Sequence, residues 1–271
     1  MCIIAVSKKG VRQPTLEQLK HMYQNNPDGA GYMYARDGVV HIHKGYMTQT
    51  EFLHAVKEEH FTADDPVVYH FRISTQAGIV PTMTHPFPLT ASLEYCENLD
   101  SVASVGVAHN GIIRMTSDAK ETRFSDTALF ITSYMTKLIR KRTDLTDQCV
   151  INMIDHLTNS KWAIMDGDGT IVTIGHFEEV KGVLFSNSTY KPWTVSYGTT
   201  FAGKNGSVWT YDKTLGKYVE KRAEDVKPTK SKDVKPPFEP DRYVPVKYRM
   251  LKDFDDDYDD FVSTSDWVQA T

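Results

Sequence analysis

With 271 residues and 40% hydrophobic side chains, the chain is long enough to bury a sizeable core, as one large domain or two small ones. A formal net charge of −4 and the lack of any Lys/Arg-rich block argue against non-specific nucleic-acid binding. Three widely spaced cysteines, Cys2, Cys96 and Cys149, with no CxxC pair, argue against both a disulfide framework and a zinc site.

The opening MCIIAVSKKG has a short apolar run and no basic region before it, so it does not read as a signal peptide. No apolar stretch approaches the length of a membrane span. The expectation is a soluble protein of the cytoplasm, or of the host cytoplasm if the gene is viral.

In chain order, residues 2–7 form an apolar run suited to a buried strand. Thr15 and Gln18 make a capping box for a helix reaching about Asn25. Residues 31–35 and 39–43 flank Asp37-Gly38, a strong hairpin signal. Thr48 with Glu51 caps a second helix that ends near Glu59. Residues 67–73 and 102–109 are β-rich. Ser125 caps a third helix, whose apolar positions Ala128, Ile131, Met135, Leu138 and Ile139 fall at helical spacing. A further helix covers about 146–157, and 162–165 with 170–174 form a second hairpin. Residues 183–186 and 208–211 read as later strands.

Helices and strands come in blocks with hairpin links, which favours an α+β fold over a doubly wound parallel sheet. Residues 1–219 read as one globular domain. Beyond it, 220–271 read as a disordered linker and tail, because 221–248 are rich in Lys, Asp and Pro with few large apolar residues. The tail carries an acidic-aromatic run over 253–261, in which Phe254, Tyr258 and Phe261 recur at near-helical spacing.

Several residues can carry chemistry. Methionine aminopeptidase removes Met1 when the second side chain is small, which leaves Cys2 with a thiol and a free α-amine. The two titrate near pH 8.5 and 8, so the amine can serve as base for its own nucleophile. Arg72 closes an apolar strand before a small-residue loop, where a guanidinium can grip a carboxylate with two parallel hydrogen bonds. His85 precedes Pro86 and reads as a site residue or a turn residue. Asn110 and Gly111 follow a buried strand, where a side-chain amide and a glycine N–H can converge on an oxyanion. Asp126 opens a helix and can hold an ammonium group. Each also has an ordinary structural reading: a small strand-opening residue, a strand-end Arg, a turn, and an acidic residue favoured by the helix dipole.

Their order adds weight. N-terminal Cys2, then Arg72-Ile73-Ser74-Thr75-Gln76-Ala77-Gly78, His85-Pro86-Phe87, His109-Asn110-Gly111 and Ser125-Asp126-Thr127 together resemble the class II glutamine amidotransferases, members of the N-terminal nucleophile (Ntn) hydrolases. Asn26-Pro27-Asp28-Gly29-Ala30-Gly31 and residues 182–188 are similar to segments of the compact, stand-alone members. The resemblance spans roughly residues 2–200. It implies a four-layer αββα sandwich of two antiparallel sheets flanked by helices. It further implies Cys2 as nucleophile with its amine as base, and Asn110 with Gly111 as oxyanion hole. Arg72, with Thr75 beside it, would hold the substrate α-carboxylate and Asp126 its α-amine. Two positions depart from synthase-linked members: Ile73 stands where an aromatic residue often follows the Arg, and Gln76 replaces the histidine of their RWATHG motif.

The implied activity is thiol-dependent hydrolysis of the glutamine side-chain amide through a γ-glutamyl thioester. No metal or organic cofactor is expected, because the α-amine does the acid–base work. The chain has no room for a synthase domain, which leaves a glutaminase feeding ammonia to a separate synthase partner, or a stand-alone γ-glutamyl amide hydrolase. A third reading is a catalytically idle binding protein acting through its acidic tail.

Overall fold

The computed structural model describes residues 2–74, 77–117, 123–192, 200–202, 207–212 and 217–222. The chain divides into two compact units, Met1–Trp193 and Thr194–Thr271. The first is α+β with two antiparallel sheets.

Strand β1 (Ile3–Ser7) leads to helix α1 (Leu16–Asn25), the hairpin β2 (Ala30–Arg36) and β3 (Val39–Tyr46), helix α2 (Gln49–Glu58) and strand β4 (Val67–Phe71). The local signals act as expected. Thr15 and Gln18 make both bonds of the capping box, and Thr48 accepts from the Glu51 N–H. At the hairpin tip Asp37 and Gly38 both have positive φ, 55° and 79°, which suits a tight turn whose twist matches that of the strands.

Strand β5 (Phe87–Pro88) is short. The β-rich stretch 102–109 is not a single strand: it divides at Ser104 into β6 (Asp100–Ala103) and β7 (Val105–Asn110), which join different sheets. Strand β6 pairs with β3 at an edge and leaves Val102 48% exposed, whereas every residue of β7 is buried. Both halves have β-forming composition, so only the tertiary partners mark the crossing.

A short helix α3 (Arg114–Ser117) precedes α4 (Asp126–Phe130). The helix capped by Ser125 continues past α4 through a π-helical turn (Ile131–Met135) into α5 (Thr136–Leu138). In the widened turn the Thr132 hydroxyl donates to Ala128 O at 3.0 Å and the Thr136 hydroxyl to Thr132 O at 3.2 Å. Side-chain back-bonding of this kind competes with the α-helical ladder. Helix α6 (Gln148–Thr158) leads to the expected hairpin of β8 (Lys161–Asp166) and β9 (Ile171–Ile174), then β10 (Glu178–Val180) and β11 (Val183–Phe185).

The seven-stranded sheet has the order β10-β11-β1-β4-β2-β3-β6, and the four-stranded sheet β5-β7-β8-β9. Three apolar clusters explain the near-continuous hydrophobic runs. Ile3, Ala5, Tyr69 and Phe71 pack with Leu19, Met22 and Phe52 of α1 and α2. The alternate residues Ile4, Val6 and Val68 meet Ala108, Ala163 and Met165 of the smaller sheet. The far face of that sheet, with Val107, Trp162 and Ile164, packs on Ala128, Ile131, Met135 and Ile154 of the later helices. Central strands are covered on both faces, which removes the polar alternation of a half-exposed strand.

The second unit contains an antiparallel sheet of β12 (Thr200–Ala202), β13 (Ser207–Asp212) and β14 (Lys217–Arg222). Strand β14 runs to Arg222, past the residue 219 limit read from composition, and the compact first unit ends earlier, at Trp193. The tail 223–271 lies outside the described residues. Among the described residues no helix is long and apolar enough to cross a membrane.

Candidate active site

Antiparallel register brings the ends of four strands, β1, β4, β7 and β11, to one place. Ile3 pairs with Phe71, so Cys2 lies beside Arg72 just beyond the ladder. Asn110 ends β7 opposite Lys161, and the Ser186 N–H donates to Ile4 O at 2.9 Å. A small cleft open to solvent is lined here by Cys2, Arg72, Ile73, His85, His109, Gly111, Ser125, Asp126 and Thr127.

Cys2 is half-buried. Its carbonyl accepts from Asn187 Nδ2 at 2.6 Å, which fixes the start of β1. Burial raises the thiol pKa, while the Ile73 backbone N–H, the N-terminal ammonium and the Arg72 guanidinium oppose the shift. Arg72 is 4% exposed; its N–H donates to Gly29 O at 2.8 Å and its Nη1 to Gly78 O at 2.8 Å. Burial lowers its pKa, and the nearby Cys2, Asp28 and Asp126 charges favour its cationic form. Asp28 is tied in as well, its Oδ2 accepting from the Ser74 N–H at 2.8 Å.

Asp126 opens α4 behind its N-cap Ser125, yet it is buried rather than solvated. Its Oδ2 accepts from the Ile113 N–H at 2.7 Å and its Oδ1 from the Thr127 N–H at 2.8 Å. Burial raises its pKa; the two backbone bonds and Arg72 pull the other way. At Gly111 a Cβ would stand 2.3 Å from Ser160 Oγ, so glycine alone lets the backbone lie at the cleft wall.

Thus the structure brings Cys2, Arg72, Gly111 and Asp126 together in one cleft. Asn110 is adjacent but does not line it: its Nδ2 donates to Ser186 Oγ at 2.9 Å, and its buried Oδ1 has no partner among the described residues. Thr75, like Gln76, lies outside the described residues.

Three buried histidines cluster here, and two of them, His85 and His109, line the cleft. The His70 and His85 rings are 4.3 Å apart between centroids, and the His109 ring lies tilted against Trp162 at 4.2 Å. His109 N–H donates to His85 Nδ1 at 3.3 Å, which puts the His85 proton on Nε2. The Thr127 hydroxyl donates to Asp126 Oδ1 and accepts from His109 Nδ1 at 2.8 Å, so His109 is protonated on Nδ1. Burial drives the pKa of His70 and of His109 down to about 3 and that of His85 well below normal, and all three are neutral near pH 7.

Sequence reasoning gave no role to Ser186 and Asn187, which hold Asn110 and Cys2. The available signal was a polar pair directly after the apolar run of β11. Among the described residues no group of three or more His, Cys, Asp or Glu side chains is placed to hold a metal ion.

Chemically the cleft offers a thiol, a buried cation and a buried anion. No protein-family model matches the chain, and no curated protein matches it.

Proposed function

We propose that the protein is a thiol-dependent amidohydrolase of the class II glutamine amidotransferase kind, with the αββα sandwich of the Ntn hydrolases. The observation that carries this reading is the gathering of Cys2, Arg72, Gly111 and Asp126, from four separate segments, around one cleft. The order of motifs along the chain and the two facing antiparallel sheets with helices on their outer faces support it.

In this reading Met1 is removed and the freed α-amine of Cys2 takes the thiol proton. The sulfur attacks the side-chain amide carbon of glutamine, and Gly111 N–H with the Asn110 amide stabilises the oxyanion. The amine returns its proton to the leaving nitrogen as the C–N bond breaks, releasing ammonia. Water then adds to the γ-glutamyl thioester, which yields glutamate and restores the thiol. Arg72 holds the α-carboxylate and Asp126 the α-ammonium, with Thr75 assigned beside Arg72 on the resemblance alone. The ammonia is released to solvent or to a separate synthase in the cytoplasm. A γ-glutamyl amide with a larger leaving amine would pass through the same steps.

The test is release of ammonia from glutamine, and of amines from γ-glutamyl amides, by protein whose intact mass shows Cys2 at the N-terminus. No release from either substrate class sinks the enzymatic reading and favours an idle binding protein.

A further inference from the structure

We propose that Ser186 is a positioning residue that sets the Asn110 amide for oxyanion binding; this inference rests on the amidohydrolase reading. Ser186 follows β11 and is 1% exposed. Its N–H donates to Ile4 O at 2.9 Å, its Oγ accepts from the Ile4 N–H at 2.8 Å, and Lys161 Nζ donates to its carbonyl. The hydroxyl is therefore anchored two residues along β1 from the nucleophile.

The same oxygen accepts from Asn110 Nδ2 at 2.9 Å. In that arrangement the hydroxyl accepts twice, and its own proton has no acceptor among the described residues. Asn110 Oδ1, buried, has no partner either. Two unsatisfied groups thus share one buried contact, which is costly.

A half-turn of the amide gives the hydroxyl proton an acceptor and exchanges the unpartnered oxygen for an unpartnered donor. Ser186 O–H then donates to Asn110 Oδ1, and the amide N–H₂ takes the place of the unpartnered oxygen. That setting leaves donor hydrogens with no protein acceptor, as an oxyanion site requires. In the first setting the amide oxygen would repel a developing oxyanion; in the second the nitrogen stabilises it. A hydroxyl serves both settings because it can accept or donate. Substrate completes the second, so Ser186 acts through Asn110 and touches no reacting atom.

Steady-state glutamine hydrolysis by Ser186→Ala, Ser186→Thr, Asn110→Ala and the double variant Asn110→Ala/Ser186→Ala tests this. Ser186→Ala should lower kcat about tenfold or more with KM within about twofold, since the lost interaction belongs to the transition state. Ser186→Thr keeps the hydroxyl and should recover most of kcat. In the Asn110→Ala background the Ser186→Ala change should alter kcat by less than about twofold, because its only route to the reaction is gone. If Ser186→Ala does not fold, Ser186→Cys, a weak donor of similar shape, replaces it in the same cycle. Equal losses in both backgrounds would assign Ser186 a purely structural role through Ile4 and overturn the inference while the amidohydrolase reading stands. A wild-type protein that releases no ammonia overturns both.

Discussion

The Cys2 thiol and the Ile73 main chain hold one another: the Ile73 N–H donates to Sγ at 3.4 Å, and Sγ lies 3.5 Å from Ile73 O as a donor. One contact favours thiolate and the other thiol, and burial tips the resting group toward the protonated form. A neutral thiol must lose its proton before it can attack, so the proposed reaction needs a base beside Cys2.

Cys2→Ala should therefore abolish ammonia release while thermal melting stays near wild type, since the sulfur makes only weak backbone contacts. Blocking Met1 removal should have almost the same effect on turnover, because the amine then sits one residue away. Near wild-type release from Cys2→Ala would take Cys2 out of the chemistry.

Arg72→Lys should raise KM for glutamine with a smaller change in kcat, because lysine keeps the charge but loses the planar two-point grip. Asp126→Asn should also raise KM, and it should cost stability. Its carboxylate satisfies the N–H groups of both Ile113 and Thr127, and an amide offers only one oxygen. Leaving one buried N–H unpaired costs about 1–3 kcal/mol, readable from urea melts. A substrate without the α-amine should be insensitive to the Asp126 change; equal sensitivity would mean that Asp126 acts on the fold alone.

Asn110→Ala should act on kcat, since its amide would donate to an oxygen that is fully anionic only in the tetrahedral intermediate. Loss of one such donor costs about 2.7–4 kcal/mol of transition-state stabilisation. Normal kcat with poorer binding would place the oxyanion hole elsewhere.

The buried histidine cluster predicts acid sensitivity of the fold. His70 and His109 have folded-state pKa values near 3, below the ordinary value of about 6.5 that they regain on unfolding. Between those limits the unfolded chain binds more protons, so stability rises with pH there and is lost as pH falls below about 6.5. Each group contributes a slope of about 1.4 kcal/mol per pH unit inside the window. Urea melts from about pH 7 down to about pH 5 should show this loss, and His70→Asn should flatten it by one proton's worth. An unchanged slope in His70→Asn would show that His70 is protonated in the folded protein.

Helices α1 and α2 and the Asp37-Gly38 turn were legible in the sequence because a cap or a tight turn is decided within a few residues. Thr15 and Gln18 are three apart, and their two bonds do not depend on the rest of the chain. Buried strands were legible as apolar runs, but not their sheet. The stretch around Ser104 has the same composition on both sides, and only the pairing of β6 with β3 and of β7 with β8 separates it.

The candidate site divides in the same way. Residue type and the order of motifs, weighed through the family resemblance, marked Cys2, Arg72, Thr75, Asn110, Gly111 and Asp126 as candidates, although each has an ordinary structural reading by itself. Tertiary structure decided that Asp126 is buried, that the three histidines cluster, and that Asn110 meets Ser186 rather than the open cleft. The bond from Asn187 to the Cys2 carbonyl joins residues 185 positions apart. No local pattern encodes such a contact, because it exists only once the register of β11 against β1 is set, and that register depends on burying both faces of the sheet.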